Sequence, residues 1–340
     1  MLNGESVRAT CDISQSQLLD SGPQAELSGA TVSAENCAPI VLFAYNRPKH
    51  TLRALESLAA NSLAARSTLY IYCDGPKPWE NKSGVAAVRR LVRQRLWCRT
   101  VRIVEKDTNA GLANSVMGGV TEVIERHGRA IVLEDDLIVA SSFLNFMNAA
   151  LNTYQDMHQV MQISGYMYPI GVPPDLSATF LPITSSWGWA TWARAWKYFD
   201  PIMAAAEAIL RDPASRRRFD LEDSHPCSHL IELQRRNRMD SWAIRWYVSV
   251  FRASGLVLYP AQSLVQNGGF DGTGTHCTHM PDYQVELSEV PSGQFPLTPA
   301  VDARVYAGLV EFHRKLTIPK PPLLQRALRR LRQLLFRKSA

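Results

Sequence analysis

The chain has 340 residues, of which 46% are hydrophobic, enough for one large domain or two moderate ones. Its formal net charge is +6, but residues 320–340 hold seven Lys and Arg and no acid, so the remainder carries +6 − 7 = −1. The folded body is therefore not expected to bind nucleic acid. No segment has the roughly 18 apolar residues of a membrane span. Six Cys without CxxC spacing indicate reduced cytosolic thiols.

Residues 1–37 are polar and aperiodic, which predicts a disordered tail without a secretory signal. Strands and helices alternate from there to residue 165. The predicted strands cover residues 39–45, 68–73, 101–104 and 130–133. The predicted helices follow Pro48, cover about 84–96, run from 109–111 to about 127, and run from 141 to about 154. This rhythm predicts an α/β fold with a mostly parallel sheet and helices on both faces. After residue 165 the rhythm fades, and residues 166–318 are expected to form a second half.

Polar residues follow all four predicted strands: Asn46-Arg47, Asp74, Asn109 to Gly111, and Glu134-Asp135-Asp136. In a doubly wound sheet these strand ends converge on one edge, where ligands bind. Arg47 is a candidate for holding a diphosphate, with a surface-loop position as the alternative, and Asp74 is a candidate acceptor for a nucleobase. Neither GxGxxG nor GxxxxGKS is present, which disfavours dinucleotide and P-loop sites.

The three consecutive acids after the fourth strand are the most informative motif. Like charges at the end of a buried strand are costly unless a cation lies among them. Mg²⁺ and Mn²⁺ typically take one or two carboxylates plus substrate phosphates. The alternative is that the acids cap the helix predicted to begin near Ser141.

Three motifs in the second half are candidates for substrate contact. Trp187-Gly188-Trp189 can stack on a sugar, or form an aromatic core patch. Asp240 precedes a predicted helix and fits an N-cap and a general base equally. The glycine-rich loop 267–276, which contains Asp271 and His276, can fold over a phosphate or serve as a plain connection.

Residues 319–340 combine leucines at helical spacing with basic residues. This predicts a basic amphipathic helix that binds an anionic membrane surface, with docking on protein as the alternative.

Taken together, these motifs resemble those of GT-A glycosyltransferases, specifically the alpha-mannosyl-glycoprotein N-acetylglucosaminyltransferase type and bacterial family 2-like sugar transferases. The resemblance covers about residues 39–280. It implies a GT-A (Rossmann-like) fold, with a nucleotide-sugar-binding half at 38–165 and an acceptor-binding half at 166–318. The chain has Asp240-Ser241-Trp242 where the animal enzymes have paired acids before Trp.

The resemblance implies a metal-dependent, inverting transfer. Asp136 would coordinate Mn²⁺ or Mg²⁺, Glu134 and Asp135 would contact the nucleoside and help place the metal, and Asp240 would act as base. The implied donor is UDP-linked, with UDP-GlcNAc a candidate, and the acceptor is a glycan or a lipid-linked glycan of bacterial surface polysaccharide synthesis. A cytoplasmic protein, peripheral on the inner face of the plasma membrane, fits these expectations. The rival interpretations are a sugar nucleotidyltransferase and a non-catalytic glycan-binding module.

Overall fold

The computed structural model describes residues 26–28, 37–269, 281–288 and 294–316. The strands are β1 (Glu26–Ser28), β2 (Ile40–Ala44), β3 (Thr68–Cys73), β4 (Thr100–Glu105), β5 (Arg129–Glu134), β6 (Leu137–Val139), β7 (Val160–Ser164), β8 (Ala178–Leu181), β9 (Trp189–Trp192), β10 (Leu256–Pro260), β11 (Val265–Asn267) and β12 (Gln294–Pro296). The helices are α1 (Pro48–Ala59), α2 (Ser83–Val92), α3 (Leu112–His127), α4 (Phe143–Thr153), α5 (Ala193–Trp196), α6 (Ala206–Arg211), α7 (Pro213–Phe219), α8 (Cys227–Arg235), α9 (Trp242–Arg252) and α10 (Ala303–Leu316).

An eight-stranded sheet with the order β4-β3-β2-β5-β9-β7-β10-β8 forms the centre. Six of its strands share one direction, and β9 and β8 run opposite to them. One face packs against α1, α2 and α4, and the other against α3, α5 and α9. The predicted α/β class, a mostly parallel sheet with helices on both faces, is confirmed.

Strands from both predicted halves belong to this sheet, since β9 lies between β5 and β7. A third apolar cluster joins α6, α7, α8 and α10 to the far end of the sheet. The antiparallel pair β6–β11 lies beside the sheet at its carboxyl edge, and β1 pairs with β12. Within the tail that the sequence predicts to be disordered, the structure describes Glu26–Ser28, which form β1, and Cys37. The rest of that prediction lies outside the described residues. None of the described helices combines the length and apolar character that a bilayer crossing requires.

Two predicted helix boundaries differ from the structure. The second helix ends at Val92, and the Trp97 indole donates to the Val92 carbonyl (3.2 Å), one of the acceptors that the helix end leaves unpaired. The helix predicted from residue 141 begins at Phe143, after β6 has intervened. Its N-cap is Ser142, so the interpretation of the acidic triplet as a helix cap is wrong.

Candidate active site at the carboxyl edge of the sheet

The register of the parallel strands brings the predicted polar residues to one edge. Ala44 pairs with Cys73, and Phe43 pairs with Glu134, so the residues that follow β2 and β3 lie beside the acidic triplet. The 109–111 loop reaches the same edge through hydrogen bonds to Asp74. The four groups of polar residues that follow the predicted strands therefore meet because of topology, as the motif spacing predicts.

Arg47 bridges two acids of the triplet. Its Nη2 lies 2.7 Å from Asp135 Oδ1 and 2.8 Å from Asp136 Oδ2. Arg47 immediately precedes α1, whose Pro48 occupies the first turn, so the helix start fixes the guanidinium at the end of the neighbouring strand. Burial lowers the pKa of Arg47, but the two carboxylates raise it by more, so the guanidinium remains charged. Arg47 is thus part of the site and not a solvated loop residue.

Asp135 is the most firmly held of the three acids. Its Oδ2 also accepts from the Tyr45 backbone N–H (3.3 Å) and weakly from the Thr51 hydroxyl (3.5 Å), and only 7% of its side chain is exposed. Burial raises its pKa, and the Arg47 charge opposes that rise. These contacts indicate that Asp135 holds Arg47 and the loop after β2 in place.

Glu134 points to the opposite face of the sheet. Alternation along β5 places it with Val132 against α9, where its carboxylate accepts a hydrogen bond from the Trp242 indole N–H. Burial, followed by the charges of Asp136 and Asp135, raises the pKa of Glu134 above its usual range. The triplet is therefore divided, with Glu134 linked to α9 and the other two acids linked to Arg47.

Asp136 lies in the turn between β5 and β6, with 14% of its side chain exposed. The Gly268 N–H donates to its backbone carbonyl (2.8 Å), because β11 pairs with β6 at this point. A Cβ at Gly269 would lie 2.4 Å from Asp136 Oδ2, so a larger residue there would displace the carboxylate from its present position. The start of the glycine-rich loop thus lies directly on Asp136. Asp271 and His276, expected to contact substrate, lie outside the described residues.

Asp74 holds the 109–111 loop. Its carboxylate accepts from the backbone N–H groups of Gly75 (2.9 Å), Ala110 (2.9 Å) and Gly111 (3.0 Å), and from Asn109 Nδ2 (3.0 Å). A carboxylate has about four acceptor positions, and here all four are used. This favours a positioning role for Asp74 and Asn109 over direct contact with a nucleobase. Gly111 enters α3 with φ +81°, a conformation that glycine tolerates.

Asn46 is held by Glu80 in the loop after β3, a residue that the sequence motifs did not single out. The carboxylate of Glu80 accepts from Asn46 Nδ2 and from the Tyr45 hydroxyl. Burial and this hydrogen bond raise the pKa of Tyr45 to about 12. Glu80 therefore ties the loop after β3 to the loop that carries Arg47.

The two tryptophans of the Trp-Gly-Trp motif have different environments. Trp189 is fully buried and stacks on Trp242 (ring centroids 5.1 Å apart), so its burial favours the core interpretation over a sugar contact. Trp187 is partly buried, with its ring 4.5 Å from that of Tyr166 and 6.0 Å from that of Tyr283. Gly188 adopts φ +63°, and a Cβ there would lie 2.7 Å from a Val265 methyl group. The glycine thus permits the turn that separates the two rings.

Asp240 does not cap α9. The N-cap is Ser241, whose hydroxyl accepts from the Ile244 N–H (3.4 Å), so the cap interpretation of Asp240 is wrong. Asp240 instead pairs with Arg245 (2.8 Å), and 58% of its side chain is exposed. Its neighbour Trp242 reaches Glu134, which places the start of α9 beside the triplet. The residue type at position 245 gave no signal in the sequence, because only helix geometry brings it back to Asp240.

The donor set at the triplet consists of oxygen atoms, which suits a hard cation. Among the described residues no group of three or more His, Cys, Asp or Glu is arranged to hold a metal. Mg²⁺ and Mn²⁺ need only one or two carboxylates when substrate phosphates complete the coordination. Asp136, partly exposed and next to Asp135, fits that role.

Comparison with solved structures finds distant similarity. A mannosyltransferase from Pyrobaculum calidifontis in complex with GDP-Man and Mn²⁺ is 12% identical with a TM-score of 0.41, and the match covers 69% of this chain and 77% of that one. An active-site mutant of LgtC is 13% identical with a TM-score of 0.39, covering 83% and 98% of the two chains. Mouse xyloside xylosyltransferase 1 is 13% identical with a TM-score of 0.30, covering 64% and 81%. Neither a protein-family model nor a curated protein matches the sequence. At these TM-scores the likeness assigns neither a family nor an activity.

Proposed function

We propose that this protein is a metal-dependent inverting glycosyltransferase of the GT-A type, which transfers a sugar from a nucleotide diphosphate donor. The observation that carries this proposal is the site at the sheet edge, where Arg47 joins Asp135 and Asp136 beneath the start of the glycine-rich loop. A cation and an anion-binding guanidinium side by side are what a sugar diphosphate requires. A divalent cation bound there would neutralise charge on the departing nucleotide.

The residues of the chain have distinct roles in this proposal. Asp136 would provide the principal metal ligand, with Asp135 beside it, whereas Glu134 lies on the opposite face of the sheet and holds the start of α9 instead of helping to place the metal. Arg47 donates to the diphosphate, since its buried Nη1 has no hydrogen-bond partner among the described residues. We assign the nucleotide side to Asn46, Asn109, Gly111 and Asp74, and contact with the sugar and the acceptor to Trp187. An oxocarbenium-like transition state is helped when the leaving group is held by preorganised positive charge.

Asp240 acts as the general base in this proposal. It lies at the start of α9, which Trp242 connects to Glu134, and its exposed carboxylate is oriented by Arg245. The base takes the proton of the acceptor hydroxyl as that oxygen attacks the anomeric carbon. Because α9 and the helix that follows Arg47 pack on opposite faces of the sheet, we propose that the acceptor approaches from the α9 side.

The donor is UDP-linked, with UDP-GlcNAc as the leading candidate, and the acceptor is a glycan or lipid-linked glycan of bacterial surface polysaccharide. The protein acts on the cytoplasmic face of the membrane. Of the rivals, a glycan-binding module depended on the Trp cluster, and the burial of Trp189 weakens it. A sugar nucleotidyltransferase is expected to have a glycine-rich loop after its first strand, and this chain has Tyr45-Asn46-Arg47-Pro48 there.

A panel of UDP-, GDP- and dTDP-sugars tests the proposal directly. We expect hydrolysis of one donor class with Mn²⁺ or Mg²⁺, loss of that activity with EDTA, and loss in Asp136→Ala. Asp175→Asn is the matched control, because Asp175 is also an arginine-paired aspartate but lies on the surface next to Arg304. If no donor is turned over with either metal, or if Asp136→Ala retains full activity, the proposed function is wrong.

A further inference from the structure

The contact between Arg47 and the two acids is unusual because one nitrogen atom serves both carboxylates. Nη2 bridges Asp135 and Asp136 at 2.7 and 2.8 Å, whereas Nη1 is buried without a hydrogen-bond partner in the described part of the chain. A buried, charged donor without a partner is costly. The guanidinium is therefore satisfied on its carboxylate side and unsatisfied on its other side.

The two carboxylates differ in how firmly they depend on Arg47. Asp135 keeps two further donors, the Tyr45 N–H and the Thr51 hydroxyl, if the guanidinium leaves. Asp136 has Arg47 as its side chain's hydrogen-bond partner within the described ranges, and it is the more exposed of the two. Asp136 can therefore exchange the guanidinium for a metal ion. Asp135 would not be left buried without a hydrogen-bond donor by that exchange.

We infer that Arg47 acts as a positioning residue that occupies the place of the metal in the free protein. Its guanidinium keeps Asp135 and Asp136 together before a divalent cation binds, and then releases Asp136 while Nη1 engages the diphosphate. The inference rests on the proposed function, because it assigns the anion to a nucleotide diphosphate. It predicts that cation and nucleotide bind in a strongly coupled way, since the nucleotide draws Arg47 away from the carboxylate that the cation needs.

The consequence is a pair of opposite effects in one variant. Arg47→Met removes the competing charge, so Mn²⁺ alone should bind about tenfold more tightly than to the native protein. The same variant lacks the donor for the diphosphate, so UDP in saturating Mn²⁺ should bind about tenfold more weakly. A role confined to stabilising the fold would not strengthen metal binding while weakening nucleotide binding.

The experiment titrates Mn²⁺ into the full chain by electron paramagnetic resonance, without nucleotide, and then titrates UDP at saturating Mn²⁺. Arg304→Met is the matched control, because Arg304 also bridges two aspartates, Asp175 and Asp302, but on the surface. It should leave both affinities unchanged. Arg47→Lys retains a positive charge if the Met variant folds poorly, and its lone ammonium should give smaller shifts in the same directions.

The outcomes separate the two claims. If Arg47→Met and Arg47→Lys bind Mn²⁺ alone no more tightly than the native protein does, Arg47 does not occupy the place of the metal. This holds even if nucleotide binding is metal-dependent. If the native protein binds no UDP in Mn²⁺, the proposed function fails. Tighter Mn²⁺ binding by Arg47→Met in that case would still support the competition between guanidinium and cation.

Discussion

At the scale of single residues, the acids of the triplet do different work. The triplet splits because successive residues of β5 face opposite sides of the sheet, so Glu134 meets α9 and Asp135 meets Arg47. The carboxylate of Asp74, by contrast, accepts four hydrogen bonds from Gly75 and the 109–111 loop. Acidic residues that look equivalent in the sequence therefore have three different tasks at this edge.

Asp240→Asn should retain donor binding and lower turnover by about two to four orders of magnitude, the usual contribution of general-base catalysis. The amide keeps the size of the side chain and a hydrogen bond to Arg245 but cannot take a proton. Turnover and UDP affinity are measured side by side, with Asp175→Asn as the surface control. A decrease of less than about tenfold would move the base role to another acid, with Asp271 the next candidate.

Sequence reasoning located the strand-end residues because parallel strands place their carboxyl ends together. It could not foresee the bridging contact of Arg47, since the distance depends on how α1 leaves β2. It left Trp189 open between core and site, because a residue's facing direction at a strand start is not fixed by the motif. It also missed Glu80 and Arg245, each of which acts through a partner brought near only by folding.

At the scale of elements, α3 shows how tightly the sheet edge is packed. Gly118 and Gly119 are consecutive in this helix, yet a Cβ on Gly118 would meet nothing within 4 Å. A Cβ on Gly119 would lie 2.8 Å from a Phe43 ring carbon and 3.2 Å from one of Tyr72. The helix can approach β2 and β3 this closely only because position 119 has no side chain.

The two glycines give a matched pair of substitutions. Gly118→Ala should stabilise the protein by about 0.5–1 kcal/mol, because alanine loses less backbone entropy in a helix. Gly119→Ala should destabilise it by about 1–3 kcal/mol through overpacking against the two rings. Thermal melts of both variants measure the difference. Equal melting temperatures for the two would show that α3 does not pack as the structure indicates.

At the scale of the whole molecule, segments that are far apart in the sequence pack against one another in the second half of the chain. His225, between α7 and α8, stacks on His313 of α10 with ring centroids 4.1 Å apart, and Tyr283 lies beside His313. Burial lowers the pKa of His225 to about 4, and burial together with His225 lowers that of His313 to about 3. Protonation of either ring would place a charge inside this buried contact and would therefore weaken it.

The pH dependence of stability follows from these depressed pKa values. The unfolded chain protonates these histidines near 6.5, whereas the folded chain resists protonation down to about pH 4. Their contribution is therefore complete above about pH 6.5 and is lost as the pH falls from there toward 4. Urea unfolding between pH 7.5 and 5 should show this slope, and His225→Phe should flatten it. His229→Phe, on the exposed side of α8, is the control that should preserve it; an unchanged slope in His225→Phe would contradict the assignment.

The predicted membrane-binding helix at residues 319–340 also concerns the whole molecule, and it lies outside the described residues. Its basic residues should draw it to anionic lipid by about 1 kcal/mol for each one near the surface. Co-sedimentation with anionic vesicles at low salt should capture the full chain and not a version that ends at Ile318. Equal binding of the two versions, or binding by neither, would remove the membrane role.

The proposed chemistry requires that a divalent cation on Asp136 and a nucleotide diphosphate bind as one unit at the sheet edge. The decisive experiment is a calorimetric titration of UDP, with and without Mn²⁺, into the native protein, Asp136→Ala and the Asp175→Asn control. We expect UDP binding that needs Mn²⁺ in the native protein and the control, and loss of that Mn²⁺-dependent component in Asp136→Ala with the fold intact. Undiminished Mn²⁺-dependent affinity in Asp136→Ala, or native affinity for UDP that is the same with and without the metal, would show that the cation and the nucleotide do not share this site.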